Sequence, residues 1–157
     1  MDKEDFSLRI TAAQSRMYRI ACSYLRGEHD RLDAISEAIL RAWQKRGSLR
    51  KEEFFDTWLI RILIRECVNI QRKQKRMVPV EELPRGTEET APPNNLALRE
   101  ALEALPQKLR TVTVLYYMEG YPVHEVALAL GISKGAVCSR LSRARRFLRD
   151  LLKEDIE

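Results

Sequence analysis

The chain has 157 residues, 45% hydrophobic and 32% charged, with a net charge of +5. That length allows one domain or two small ones, and the composition is that of a soluble globular protein. The longest nearly apolar run, 114–118, is far too short to cross a bilayer, and the acidic start Met1-Asp2-Lys3-Glu4-Asp5 lacks the apolar core of a signal peptide, so no membrane insertion is expected.

Residues 6–25 read as a first helix, with Leu8, Ala12, Ser15, Tyr18 or Arg19, and Cys22 near one face and Ile10, Met17, Ile20, Ala21 and Leu25 extending it. Gly27 ends it, and Asp30 can cap the next. In the second helix Leu32, Ile35, Ile39 and Trp43 form an apolar stripe with Ala38, Leu40 and Ala42 beside it. Its other face carries Asp33, Glu37 and Arg41, with a spacing of four that permits a Glu37–Arg41 pair. Gly47-Ser48 closes this helix. A third starts near Lys51, places Phe54, Phe55, Trp58, Leu59, Ile62 and Leu63 toward a core, and runs into a basic stretch. Trp58 shares the helical phase of Leu59 and Ile62 and is expected in that core rather than in a ligand pocket.

Residues 77–95 break the pattern. They hold Pro79, Pro84, Pro92, Pro93 and Gly86, with Glu81, Glu82, Glu88 and Glu89. Proline removes backbone donors and blocks helix, so the segment reads as an extended or poorly ordered linker and a domain boundary. The fold expected is therefore all-α: one small helical bundle over 1–76, the flexible linker over 77–95, and a second bundle over 96–157.

The second bundle opens with Leu98, Ala101, Leu102 and Leu105 on one face before Pro106. A further helix follows, with Leu109, Val112, Thr113 or Val114, Tyr116 and Tyr117 as its apolar side, closing at Gly120. Pro122 suits a first helical turn, and Val123, Val126, Ala127 and Leu130 share a face. Gly131 stands where a left-handed C-terminal residue belongs, and Ser133 where an N-cap belongs. The last helix puts Val137, Leu141, Ala144, Leu148 and Leu151 on one side. Lys134, Cys138, Ser139, Arg140, Ser142, Arg143, Arg145, Arg146 and Arg149 fall outside that face. Two short helices across a glycine turn, the second basic outside and apolar inside, predict a helix-turn-helix that enters a DNA major groove.

Charge location sharpens this. Residues 61–76 sum to +5 and residues 134–149 to +6, so the remainder of the chain sums to −6. Two basic stripes on an otherwise acidic chain are the footprint of two contacts with phosphate backbones. Enzyme chemistry finds no support: His29 and His124 have no ligands at metal-binding spacing, and no phosphate loop or nucleophile elbow is present. Cys22, Cys67 and Cys138 form no C-x-x-C pair, which fits reduced cytosolic thiols and a cytoplasmic location. No metal or cofactor is implied.

This order of elements resembles the small, two-domain extracytoplasmic-function (ECF) class of the sigma-70 family. The stretch 33–43, from Asp33-Ala34-Ile35 to Arg41-Ala42-Trp43, is similar to the family's polymerase-binding helix. Trp58-Leu59-Ile60-Arg61-Ile62 and the basic run after it resemble the promoter-melting helix. Leu130-Gly131-Ile132-Ser133 and Ser139-Arg140-Leu141-Ser142-Arg143-Ala144 resemble the −35-reading helix-turn-helix.

The resemblance implies core RNA polymerase and promoter DNA as partners, with an anti-sigma factor as a restraint. It implies core-polymerase contacts at Asp33, Glu37 and Arg41. It implies −10 contacts at Arg61, Arg65, Asn69, Arg72 and Lys73, with the loop 47–51 as the place to capture an unstacked base. It implies −35 contacts at Lys134, Cys138, Ser139, Arg140, Ser142, Arg143 and Arg146. The acidic linker is either a nucleic-acid mimic inside the polymerase or a solvated tether. Four positions depart from the family's habit. Ser36 stands where Gln is frequent, Arg65 and Asn69 where Asn and Asp are, and Cys138 where Arg or Lys is. A stand-alone helix-turn-helix regulator is the alternative, and it needs neither the 61–76 stripe nor the Asp33–Glu37 face.

Overall fold

In the computed structural model of the chain, the described residues are 1–76 and 96–156, with side chains through residue 153. All regular structure among them is helical, and the chain divides into two units, Met1–Gly86 and Thr87–Glu157. The linker reading over 77–95 lies outside the described residues.

The first unit is built from α1 (Lys3–Cys22), α2 (Glu28–Gln44) and α3 (Phe55–Arg76), each packed on the other two. Asp2 caps α1, its carboxylate accepting the Asp5 N–H at 2.8 Å. Met17, Ile20, Leu59, Ile60 and Leu63 are fully buried at the centre, where truncating any one to alanine costs about 2–5 kcal/mol. The phase of α1 differs from the sequence reading. Phe6, Ile10, Ala13, Met17, Ile20 and Ala21 face the core, whereas Leu8 is 71% exposed. The predicted stripe of α2 is corrected in the same way: the buried line is Ala34, Ala38 and Ala42, while Leu32 and Leu40 lie exposed. Small side chains every fourth residue let α2 and α3 approach closely, and that contact decides which side of α2 turns inward.

Between α2 and α3 run two short 3₁₀ turns, Arg46–Ser48 and Glu52–Phe54. The third helix therefore begins at Phe55, not near Lys51. Phe55 is buried and Trp58 half-buried, their rings 5.8 Å apart, but Phe54 is 48% exposed, contrary to its expected place in the core.

The second unit contains α4 (Leu96–Ala104), α5 (Gln107–Thr113), a π-helical turn over Val114–Met118, α6 (Val123–Leu130) and α7 (Lys134–Ile156). Arg110 closes the end of α4, donating from Nε to Leu102 O at 3.0 Å and from Nη2 to Leu105 O at 2.9 Å. Leu105, Val112, Leu115, Val126 and Val137 are fully buried at its centre. Gly131 closes α6 at φ 69°, ψ 34°, and the Ile132 N–H reaches back to Ala127 O at 3.1 Å.

Candidate nucleic-acid interface

The α3 stripe is a consequence of helical phase. Leu59, Ile62, Leu63, Glu66 and Cys67 turn inward, so Arg61, Arg65, Asn69, Arg72 and Lys73 emerge on the opposite side, and all five are exposed. They extend about 18 Å along the helix, about the axial length that five phosphates occupy on a single strand. The structure thus brings the predicted −10 residues together on one face.

The connector into α3 adds to that surface. Lys45, Arg50, Lys51 and Phe54 are exposed around it. Arg46 lies 3.6 Å above the Trp43 ring and donates from Nη1 to Trp43 O at 2.7 Å. From the other side, Arg9 on α1 donates to Glu52 O at 3.1 Å and to Glu52 Oε2 at 3.2 Å, with its guanidinium 5.5 Å from the Phe55 ring centre. Arg16 pairs with Asp56 just beyond. An exposed aromatic among cations, braced on a rigid helix, is the pattern that stacks an unpaired base.

On α2, Asp33, Ser36, Glu37, Leu40 and Gln44 share the solvent face. Asp33 Oδ2 lies 3.4 Å from His29 Nε2, and Glu37 Oε1 lies 3.6 Å from Arg41 Nε. Arg41 is set apart from the two acids. Its Nε comes within 2.6 Å of Glu66 Oε1 on α3, and Glu66 is only 7% exposed. Arg41 therefore bridges the two helices, while Asp33 and Glu37 face outward.

The helix-turn-helix is α6, Gly131–Ser133 and α7. The Ser133 hydroxyl accepts the Ala136 N–H at 3.0 Å, the N-cap expected of it. Val137, Leu141 and Ala144 are buried. Lys134, Cys138, Ser139, Ser142, Arg143 and Arg146 are exposed, whereas Arg140 is half-buried at the edge of the apolar face. Six basic side chains without an acidic one between 134 and 149 make this a strongly positive helix.

Two family descriptions match the chain: "Sigma-70 region 2" over residues 10–77 and "Sigma-70, region 4" over residues 95–148. RNA polymerase sigma factor SigV of Bacillus subtilis (strain 168) is 32% identical, over 94% of this chain and 91% of its own length. The chain belongs to the sigma-70 family.

ECF RNA polymerase sigma factor SigM of Mycobacterium tuberculosis (strain ATCC 25618 / H37Rv) is 31% identical to this sigma factor, covering 96% of this chain and 79% of SigM. Among solved structures, the sigma factor RpoE of Bartonella quintana, in complex with the anti-sigma factor NepR, has a TM-score of 0.81 at 24% identity, over 96% of this chain and 98% of that one. That likeness shows the fold. The protein is an ECF-class sigma factor, a promoter-specific transcription initiation factor, and the stand-alone regulator is not favoured.

Three exposed residues of this sigma factor differ from what helical spacing predicts: Leu32 in the apolar stripe of α2, Leu40 beside that stripe, and Phe54 in the core. The alanine spacing at 34, 38 and 42 was the available signal for α2, since it marks a close helix contact. No signal in the sequence located Phe54.

Proposed function

We propose that residues 1–76 of this sigma factor dock on core RNA polymerase through the α2 face of Asp33 and Glu37, with Leu40 supplying apolar contact between them. Arg41 serves that face by holding α2 against α3 through Glu66. The α3 row Arg61, Arg65, Asn69, Arg72 and Lys73 takes the phosphates and base edges of the −10 element, and the braced connector with Phe54 takes an unstacked base. Residues 96–157 read the −35 element in the major groove through Lys134, Cys138, Ser139, Arg140, Ser142, Arg143 and Arg146. The protein has no catalysis of its own, works in the cytoplasm, and is held by an anti-sigma factor until released, as RpoE is bound by NepR in its complex.

One observation carries this reading: two exposed basic rows, on separate units, each backed by its own apolar core. Two DNA contacts on one chain suit a promoter with two elements. Run-off transcription with purified core polymerase and a promoter library tests it. A promoter-specific transcript and co-elution with core polymerase are expected. The absence of both would overturn the proposal. No helix among the described residues is long and apolar enough to cross a membrane, so vesicles are not needed in the assay.

A further inference from the structure

The π-helical turn over Val114–Met118 changes what the second unit shows to solvent. Its closing bond, Glu119 N–H to Val114 O at 2.9 Å, spans one residue more than an α-helical bond. That extra residue rotates the end of the helix. Tyr117, which plain helical phase assigns to the apolar side, emerges 52% exposed. The Tyr116 ring meets it edge-on at 4.9 Å and sets its plane. Its hydroxyl oxygen accepts a hydrogen bond from Nη1 of Arg145 on α7 at 2.9 Å.

Arg145 is exposed, and among the described residues no carboxylate pairs with it. It belongs to a line along α7 spaced by three or four residues, Lys134, Cys138, Ser142, Arg145 and Arg149, and all five are exposed. Only Lys134, Cys138 and Ser142 of this line are among the predicted −35 contacts.

We propose that Tyr117 and Arg145 together form a binding site for one backbone phosphate at the flank of the −35 element. The inference rests on the −35 role of α7 proposed above. Donor arithmetic selects the ligand. Arg145 spends one N–H on Tyr117 and keeps the rest of its fork, while the phenol accepts through its oxygen and keeps its own O–H to donate. Both groups thus offer only donors outward, beside a net positive charge, and a phosphodiester oxygen is the matching acceptor. Position selects backbone over base. Arg145 lies about 17 Å along the helix from Lys134, past the N-terminal turns that a recognition helix inserts among base edges. The phenol also holds the guanidinium in one orientation beforehand, so less side-chain freedom is lost on binding.

The test uses holoenzyme assembled from the full chain and core polymerase, with two duplexes: one carrying the −35 element and one with that element scrambled. Affinity is read by fluorescence anisotropy across about 50–200 mM salt. Arg145→Ala is expected to weaken both duplexes by the same factor and to make the slope of log affinity on log salt shallower by about 0.9, one phosphate. Tyr117→Phe keeps the charge, so the slope stays, while affinity falls by about two- to tenfold. The double variant loses less than the product of the two single losses, because the hydroxyl acts partly through Arg145.

An unchanged salt slope in Arg145→Ala would overturn the phosphate site, as would a loss confined to the cognate sequence. So would a loss of core-polymerase affinity with DNA binding intact, which would assign the pair to an acidic protein surface instead. Arg143→Ala, measured in parallel, separates the two levels. If it leaves discrimination between the duplexes intact, the −35 reading of α7 fails. If it abolishes discrimination while Arg145→Ala leaves the slope unchanged, the phosphate site alone fails.

Discussion

Replacing Arg41 by alanine strands the Glu66 carboxylate. Glu66 has a side chain only 10% exposed, and its counter-charge is the Arg41 Nε at 2.6 Å. Breaking a fully buried ion pair by removing one partner costs about 3–5 kcal/mol. The Arg41 side chain is 44% exposed, however, so solvent already screens part of the pair and the expected loss is nearer 2 kcal/mol. For a domain of this size each kcal/mol lowers the melting temperature by about 4–8 °C, so Arg41→Ala should melt about 8–16 °C below the parent. Glu66→Ala should lose less, because the arginine it leaves behind can turn to water and still has Glu37 at 3.6 Å. The double variant should be more stable than the sum of the single losses predicts. Both tryptophans, Trp43 and Trp58, lie in the first unit, so a urea or thermal melt followed by tryptophan fluorescence reports on that unit. If Arg41→Ala melts like the parent yet loses affinity for core polymerase, Arg41 is a surface contact and the bridging role is wrong.

Burial and its neighbours push the Cys67 thiol from 9.0 up to about 12; desolvation leads, with the Glu66 charge behind it. Titration with an aromatic disulfide at neutral pH should find exposed Cys138 reacting first and Cys67 protected until unfolding. The same shift has a definite sign for stability. The unfolded chain loses the Cys67 proton above about pH 9 while the folded chain keeps it, so the contribution is whole below pH 9 and erodes toward pH 12. Cys67→Ala should flatten the fall of urea midpoint with pH across that window, and an equally steep fall would contradict the assignment. Gly131→Ala forces a Cβ into the left-handed region at φ 69°, although nothing stands within 4 Å of it, so a strain cost of about 1–2 kcal/mol is expected in calorimetry. Ser133→Ala removes the cap on Ala136 N–H and should cost about 1 kcal/mol, with Ser133→Asp restoring most of it. Glu37→Lys should weaken assembly with core polymerase on gel filtration and leave the melting temperature within a few degrees, since Glu37 is exposed and its pair with Arg41 is long.

Features that depend on one residue and its immediate neighbours are legible without coordinates. Gly131 and Ser133 mark the helix-turn-helix because a left-handed φ and an N-cap hydroxyl are local requirements, and both occur where expected. The two basic rows were legible for a similar reason: helical periodicity alone puts Arg61, Arg65, Asn69 and Arg72 opposite Leu59, Ile62 and Leu63. Tertiary structure decided which face each amphipathic helix buries when more than one is apolar. In α2 the choice went to Ala34, Ala38 and Ala42 over Leu32 and Leu40, because close approach to α3 rewards small side chains more than it rewards burying two leucines. It also decided that Arg41 turns to Glu66, and that a single π turn swings Tyr117 out to Arg145. Each of those outcomes depends on atoms brought together from distant parts of the chain, and helical spacing carries no record of what stands across the gap.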